Sequence, residues 1–123
     1  MLNIYVAHKK DSVYAETLYN VIKSSNLAKT CNIIFPHEKG SKDFKSKEVI
    51  SKCSFVLAEV SDPATGVGVE LGWADAYNIP IICLHREWCK PSGSLKYLTD
   101  KFYSYGSRHG LLTVLNDLWE TLK

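Results

Sequence analysis

In the run LAEVSDPATGVGVELGWADA, Leu57 to Ala76, two glycines, Gly66 and Gly68, are followed by a glutamate, Glu70. Glycines between a strand and a helix let backbone approach a ligand closely and offer N–H groups to anions or oxygens. The pattern puts Glu70 in the first turn of a helix, VELGWADAYN, where the positive end of the helix dipole favours a carboxylate. An ionised carboxylate in a crevice can attack an electrophilic carbon or stabilise a developing cation. Both suit the anomeric carbon of a sugar. A simple dipole partner with no further role is the competing reading of the same residue.

The elements that must position this run alternate along the chain. LNIYVAH, CNIIFP, SFVLAEV and IPIICLHR read as short buried strands, with YSYG as a short edge strand. Between them lie the helical patterns DSVYAETLYNVIKSSN, capped by Asp11 or Ser12, DFKSKEVISKC, VELGWADAYN and SGSLKYLTDKF, with GLLTVLNDLWETLK closing the chain. Strands separated by helix-length connections predict a single α/β domain over residues 1–123. Its five-stranded parallel sheet takes the flavodoxin-like order 2-1-3-4-5, with helices on both faces. In such a sheet ligands bind beyond the carboxyl ends of the strands where strand order reverses, here between strands one and three. Tyr5, His8, Lys9 and Lys10 would then face the glycines and Glu70.

The bulk properties narrow the function classes. Of the 123 residues 46% are hydrophobic and 23% charged, which is a globular composition. A net charge of +2 and a pI near 8.3 give no case for a nucleic-acid polymer but tolerate a small anion. No apolar run approaches the roughly 18 residues that a membrane helix needs, and MLNIYVAHKK reads as strand, not as a targeting segment. Cys31, Cys53, Cys83 and Cys89 lack CxxC or metal-site spacing. They read as reduced thiols, Cys53 and Cys83 as small apolar packing residues. The expectation is a cytoplasmic protein with no metal and no cofactor.

The run AEVSDPATGVGVELGWADA with NIPIICLHR resembles the signature of the nucleoside 2-deoxyribosyltransferase superfamily, nearest to the 2'-deoxynucleoside 5'-monophosphate N-glycosidases. NIYV resembles that family's first strand, with a tyrosine at Tyr5. The likeness is sharp at Tyr5 and from Leu57 to about Leu84, and elsewhere it is one of layout. It implies a flavodoxin-like domain in which Glu70 is the nucleophile attacking C1' of the sugar. Tyr5 orients that carboxylate by a hydrogen bond, and water or another base resolves the glycosyl ester.

Several positions depart from the family pattern. Ala64 stands where the monophosphate enzymes carry a phosphate-binding serine and the transferases an aspartate, and Thr65 is the neighbour able to substitute. An ungapped alignment puts Ser46 where the family binds the sugar with an aspartate; Asp43 takes that place only if the alignment slips. In AHKKDS, His8 crowds a glycine-rich loop of the family, while Lys9 and Lys10 supply charge suited to a phosphate. Ser94, with Ser92 beside it, falls near the serine that the family contributes from a neighbouring subunit, which implies a homodimer.

His37, Asp75 and His109 read as solvated positions, and Glu59 as a partner for loop N–H groups. His85 and Arg86 end strand four on the crevice side. Trp73 reads equally as a pocket wall and as a core or interface residue. The resulting expectation is hydrolysis of the base–sugar bond of a (deoxy)nucleoside 5'-monophosphate. Alternatives are deoxyribosyl transfer between free nucleosides, NAD glycohydrolysis by a distantly related layout, and a non-catalytic nucleotide-sensing module.

Overall fold

Alternate residues along each strand pack into two different hydrophobic layers, as the period of a pleated sheet requires. In the computed structural model, which describes residues 1–10, 14–37 and 45–123, the strands are β1 (Asn3–Ala7), β2 (Asn32–Ile34), β3 (Phe55–Glu59), β4 (Ile81–Arg86) and β5 (Phe102–Tyr105). All neighbours pair in parallel, in the order β2-β1-β3-β4-β5. This is the flavodoxin-like arrangement expected from the sequence.

The helices are α1 (Ala15–Ser24), α2 (Asn26–Thr30), α3 (Ser46–Ser51), α4 (Thr65–Ala76) and α5 (Arg108–Leu122). Ile4, Val6, Leu57, Ile82 and Leu84 meet Leu18, Ile22, Leu27, Leu111 and Leu115 beneath α1, α2 and α5. Tyr5, Val56, Ala58, Ile81 and Cys83 meet Ile50, Val67, Leu71 and Ala74 beneath α3 and α4 on the opposite face. Cys53 and Cys83 pack in this second layer, and burial pushes the Cys83 thiol up to about 12. All four cysteines are free.

Three boundaries differ from the sequence reading. The first helical pattern breaks at Ser25, whose extended backbone separates α1 from α2. Its hydroxyl donates to the Ile22 carbonyl at 2.6 Å, a local bond that competes with helix continuation. The expected caps Asp11 and Ser12 lie outside the described residues, as does Asp43.

The segment SGSLKYLTDKF forms only a 3₁₀ turn, Gly93–Tyr97. Thr99 Oγ1 then ties the chain to the Ile81 carbonyl at 2.7 Å. The third difference is that α4 begins at Thr65, so Gly66 and Gly68 belong to the helix and not to a loop before it. Val67, Leu71 and Ala74 form its buried stripe at helical spacing, and that packing outweighs the low helix propensity of glycine. Asn78, at φ 58°, ends the helix in the left-handed conformation that asparagine tolerates.

Candidate active site

Because Val67, Leu71 and Ala74 bury one face of α4, Gly66, Val69, Glu70 and Trp73 share the adjoining face and line an open cleft. The cleft has a volume of about 540 Å³, within the range of small-molecule sites. From β1 and the segment after it come His8, Lys9 and Lys10; α3 supplies Ser46, and Ala64 and Thr65 border the start of α4. The structure thus brings together all the expected site residues except Tyr5, Gly68 and Ser94 as cleft lining. Tyr5 joins from beneath.

Tyr5 is fully buried in β1, and its hydroxyl donates to Glu70 Oε2. Ser46 Oγ lies 3.2 Å from the same phenolic oxygen. Burial, reinforced by the Glu70 carboxylate, pushes the Tyr5 phenol well above its usual range, so the proton stays on the tyrosine. Burial likewise raises the Glu70 carboxyl above its ordinary value, while hydrogen bonds from Tyr5 and Ser46 pull it back. This corrects the dipole argument made from sequence. Since α4 starts at Thr65, Glu70 sits in the second turn, and desolvation is the main influence on its charge.

The glycines act differently from one another. Gly68 N donates to the Ala64 carbonyl at 3.1 Å, so its N–H is spent inside the helix. The N–H groups of Thr65, Gly66 and Val67 precede the first helical bond, and no side chain caps this terminus. A Cβ added at Gly66 would meet nothing within 4 Å and would stand in the cleft. Gly68 is not among the lining residues.

His8, with 4% exposure, is packed and not a loose obstruction. Its Nδ1–H donates to the Lys9 carbonyl at 2.8 Å, which leaves Nε2 to accept from the Tyr19 hydroxyl at 2.5 Å. The Tyr19 oxygen also accepts the His37 N–H at 3.1 Å. Burial holds the His8 imidazole below its ordinary pKa, in the neutral form.

His37, set aside from sequence as a solvated position, lines the cleft with its ring edge-on to His8 at 5.1 Å. Its place one residue beyond Pro36, at the carboxyl end of β2, was the available signal. Trp73 is a cleft wall. Glu59 accepts from Ser61 N–H at 2.6 Å, from Ser61 Oγ at 3.0 Å and from the Tyr105 hydroxyl, the loop-bonding role read from sequence. Ser94 lies in the exposed 3₁₀ turn and does not line this chain's cleft. Among the described residues no three His, Cys, Asp or Glu side chains come together as a metal-ligand set. No helix among them is long and apolar enough to cross a membrane.

The sheet order and the site at its switch point define a flavodoxin-like α/β protein. No family model matches the chain. A curated sequence, the "Putative 2'-deoxynucleoside 5'-phosphate N-hydrolase 1" of Syntrophotalea carbinolica, is 35% identical over 77 residues, 60% of this chain and 49% of that protein. The chain thus spans about half the length of this curated relative. The CMP N-glycosidase BcmB of Clostridium botulinum superposes with a TM-score of 0.69 at 18% identity, covering 95% of this chain and 98% of that one. A conserved protein of Enterococcus faecalis V583 (TM-score 0.60, 23% identity, 98% and 96% covered) shares the fold. So does a flavodoxin-like domain from Synechococcus (0.61, 16%, 98% and 99%). The resemblance read from Tyr5 and the Leu57–Leu84 run is borne out: the curated relative carries the name of the enzyme group it pointed to.

Proposed function

We propose that this chain is an N-glycosidase that hydrolyses the base–sugar bond of a (deoxy)nucleoside 5'-monophosphate. The observation that carries the reading is the Tyr5–Glu70 hydrogen bond at the floor of an open cleft whose walls include a helix N-terminus and two lysines. Glu70 attacks C1' from one face of the sugar; the C1'–N bond breaks and its electron pair leaves with the base. A glycosyl ester joins sugar and Glu70. Water then attacks C1', the ester bond breaks to restore the carboxylate, and the proton that water gives up goes to the nitrogen of the released base. Tyr5 holds the attacking oxygen in place and stabilises the carboxylate when it departs.

Lys9, Lys10 and the Thr65, Gly66 and Val67 N–H groups form the basic end of the cleft, suited to a 5'-phosphate. Ser46 faces the sugar hydroxyls. Ala64 has no side-chain donor, so Thr65 and backbone carry that part of the contact. The reading takes a cytoplasmic homodimer as the minimal unit, with Ser94 reaching the partner's cleft. The 35% identity to a protein named as a nucleoside phosphate N-hydrolase supports the reaction class.

The test is chromatographic detection of base release from deoxyribonucleosides, ribonucleosides, their 5'-monophosphates and NAD, with Glu70→Ala as control. Release from a monophosphate that disappears in the control supports the reading. Base exchange between free nucleosides without net hydrolysis replaces it with transfer. Binding without release replaces it with a sensing module.

A further inference from the structure

Across the end of β1 from the cleft lies a second cavity, about 260 Å³ in volume, between α1 and α5. It shares His8 and Lys9 with the cleft, and its remaining lining is its own. Leu18 and Leu111, both buried, form its apolar floor, and Tyr14 stands beside them. Arg86, with 5% exposure, donates from Nη2 to Asp62 at 2.9 Å and stacks its guanidinium 4.0 Å from the Tyr14 ring centroid. Its Nε is buried with no hydrogen-bond partner among the described residues. The Cys89 side chain is a further hydrogen-bonding neighbour of this guanidinium.

The charge balance of the cavity has a sign. Glu59, hydrogen-bonded by Ser61 and Tyr105, and Asp62, paired with Arg86, bring two negative formal charges against the three positive ones of Arg86, Lys9 and Arg108, so the lining is net positive by one. Lys9 and Arg108 line the cavity, both exposed, and neither has an ion-pair partner among the described residues. Two uncommitted cations therefore stand over an apolar floor, with Trp88, 67% exposed, beside them. The volume holds one ring with a substituent, since a benzene-binding cavity is about 150 Å³. It is short of the several hundred Å³ typical of larger ligands.

We propose that this cavity binds a small planar aromatic carboxylate, its ring against Leu18, Leu111 and Tyr14 and its carboxylate toward Arg108 and Lys9. The charged end selects for an anion, and the floor selects against inorganic phosphate or acetate.

The test is a titration of the ¹⁵N-labelled full chain followed by amide and indole resonances, with benzoate and its neutral isostere benzamide as probes at up to roughly 10 mM, the scale of a weak small-molecule site. Benzoate is expected to move the Trp88 indole, Gly106 and Arg108 signals while Thr65 and Gly66 stay still. Benzamide is expected to bind about tenfold more weakly, a single charge's worth of selectivity. Arg108→Glu should remove that preference, and Trp88→Ala, an exposed change whose fold the same spectra verify, should weaken both probes together. Silence with benzoate, equal binding of the two probes, or shifts confined to Thr65 and Gly66 would each overturn the proposal.

Discussion

Gly66 stands one helical turn before Glu70 on the same face of α4, and its missing side chain leaves the approach to the carboxylate uncovered. Gly68, two residues on, has equally open surroundings but does not line the cleft. The pair therefore separates helix propensity from ligand space. Gly66→Ala and Gly68→Ala should each stabilise the fold, by up to about 1 kcal/mol in denaturant unfolding. Only Gly66→Ala should raise KM. Equal KM values for the two variants would place the ligand elsewhere.

Replacing Glu70 tests chemistry and stability at once. On the proposed mechanism, Glu70→Gln and Glu70→Ala should each lower base release by at least about 10³-fold, the scale of a lost nucleophile. The fold should persist, because Ser46 remains beside the Tyr5 hydroxyl. The Glu70 carboxyl is raised by burial, so its protonation stabilises the fold. That contribution is fully present below the unfolded carboxylate pKa of about 4.3 and is lost as pH rises through the folded value. Glu70→Gln should thus raise Tm at pH 7, with the gain fading toward pH 4. A Tm gain that grows on acidification would contradict this ordering.

Tyr5→Phe removes a donor that favours the ionised Glu70. Turnover should fall by roughly 10²-fold or less, the scale of an assisting group. The acid limb of the pH–rate profile should also move to higher pH, because burial then acts on the carboxyl against the Ser46 hydrogen bond alone. Ser46→Ala should shift the limb in the same direction by a smaller amount. An unmoved acid limb in both variants would sever the hydroxyls from the charge of Glu70.

His8 makes stability depend on pH with the opposite sign. Burial depresses its pKa, so its contribution is present above the unfolded value near 6.5 and is lost as pH falls through the folded value. The urea midpoint should drop between pH 7.5 and 5.5, and His8→Asn should flatten that drop. Tyr19→Phe leaves both His8 Nε2 and the His37 N–H without their hydroxyl partner and should cost about 1–3 kcal/mol. A wild-type midpoint independent of pH in that window would remove His8 from the account.

For Lys9 and Lys10, the comparison of interest is between substrates. The double change to alanine should raise KM for a 5'-monophosphate about tenfold or more, the effect of lost charge-assisted contacts, while leaving the free nucleoside unaffected. An unchanged KM for the monophosphate would assign these lysines to solvent.

The strands were legible because residues such as Ile4 to Ala7 and Phe55 to Ala58 are buried on both faces and so read as unbroken apolar runs. Parallel pairing followed from their helix-length spacing, whereas the order 2-1-3-4-5 was taken from the common doubly wound arrangement and not from any residue. The start of α4 was not legible: two glycines within four residues look like a loop, and only the packing of Val67 against the sheet makes them helical. That shift moved Glu70 from a dipole-governed first turn to a desolvated second one. His37 was missed, and Arg86 was read only as a pocket-side end of strand four without the cavity around it, for a shared reason. Each depends on which residues from distant strands end side by side, and no local spacing records that.

His8 borders both hollows, the cleft along α4 and the chamber between α1 and α5. It is therefore a partition, its ring pinned from one edge by the Lys9 carbonyl and from the other by Tyr19. Lys9, the next residue, lines both hollows as well, so the end of β1 is the stretch of chain that holds the two chambers apart.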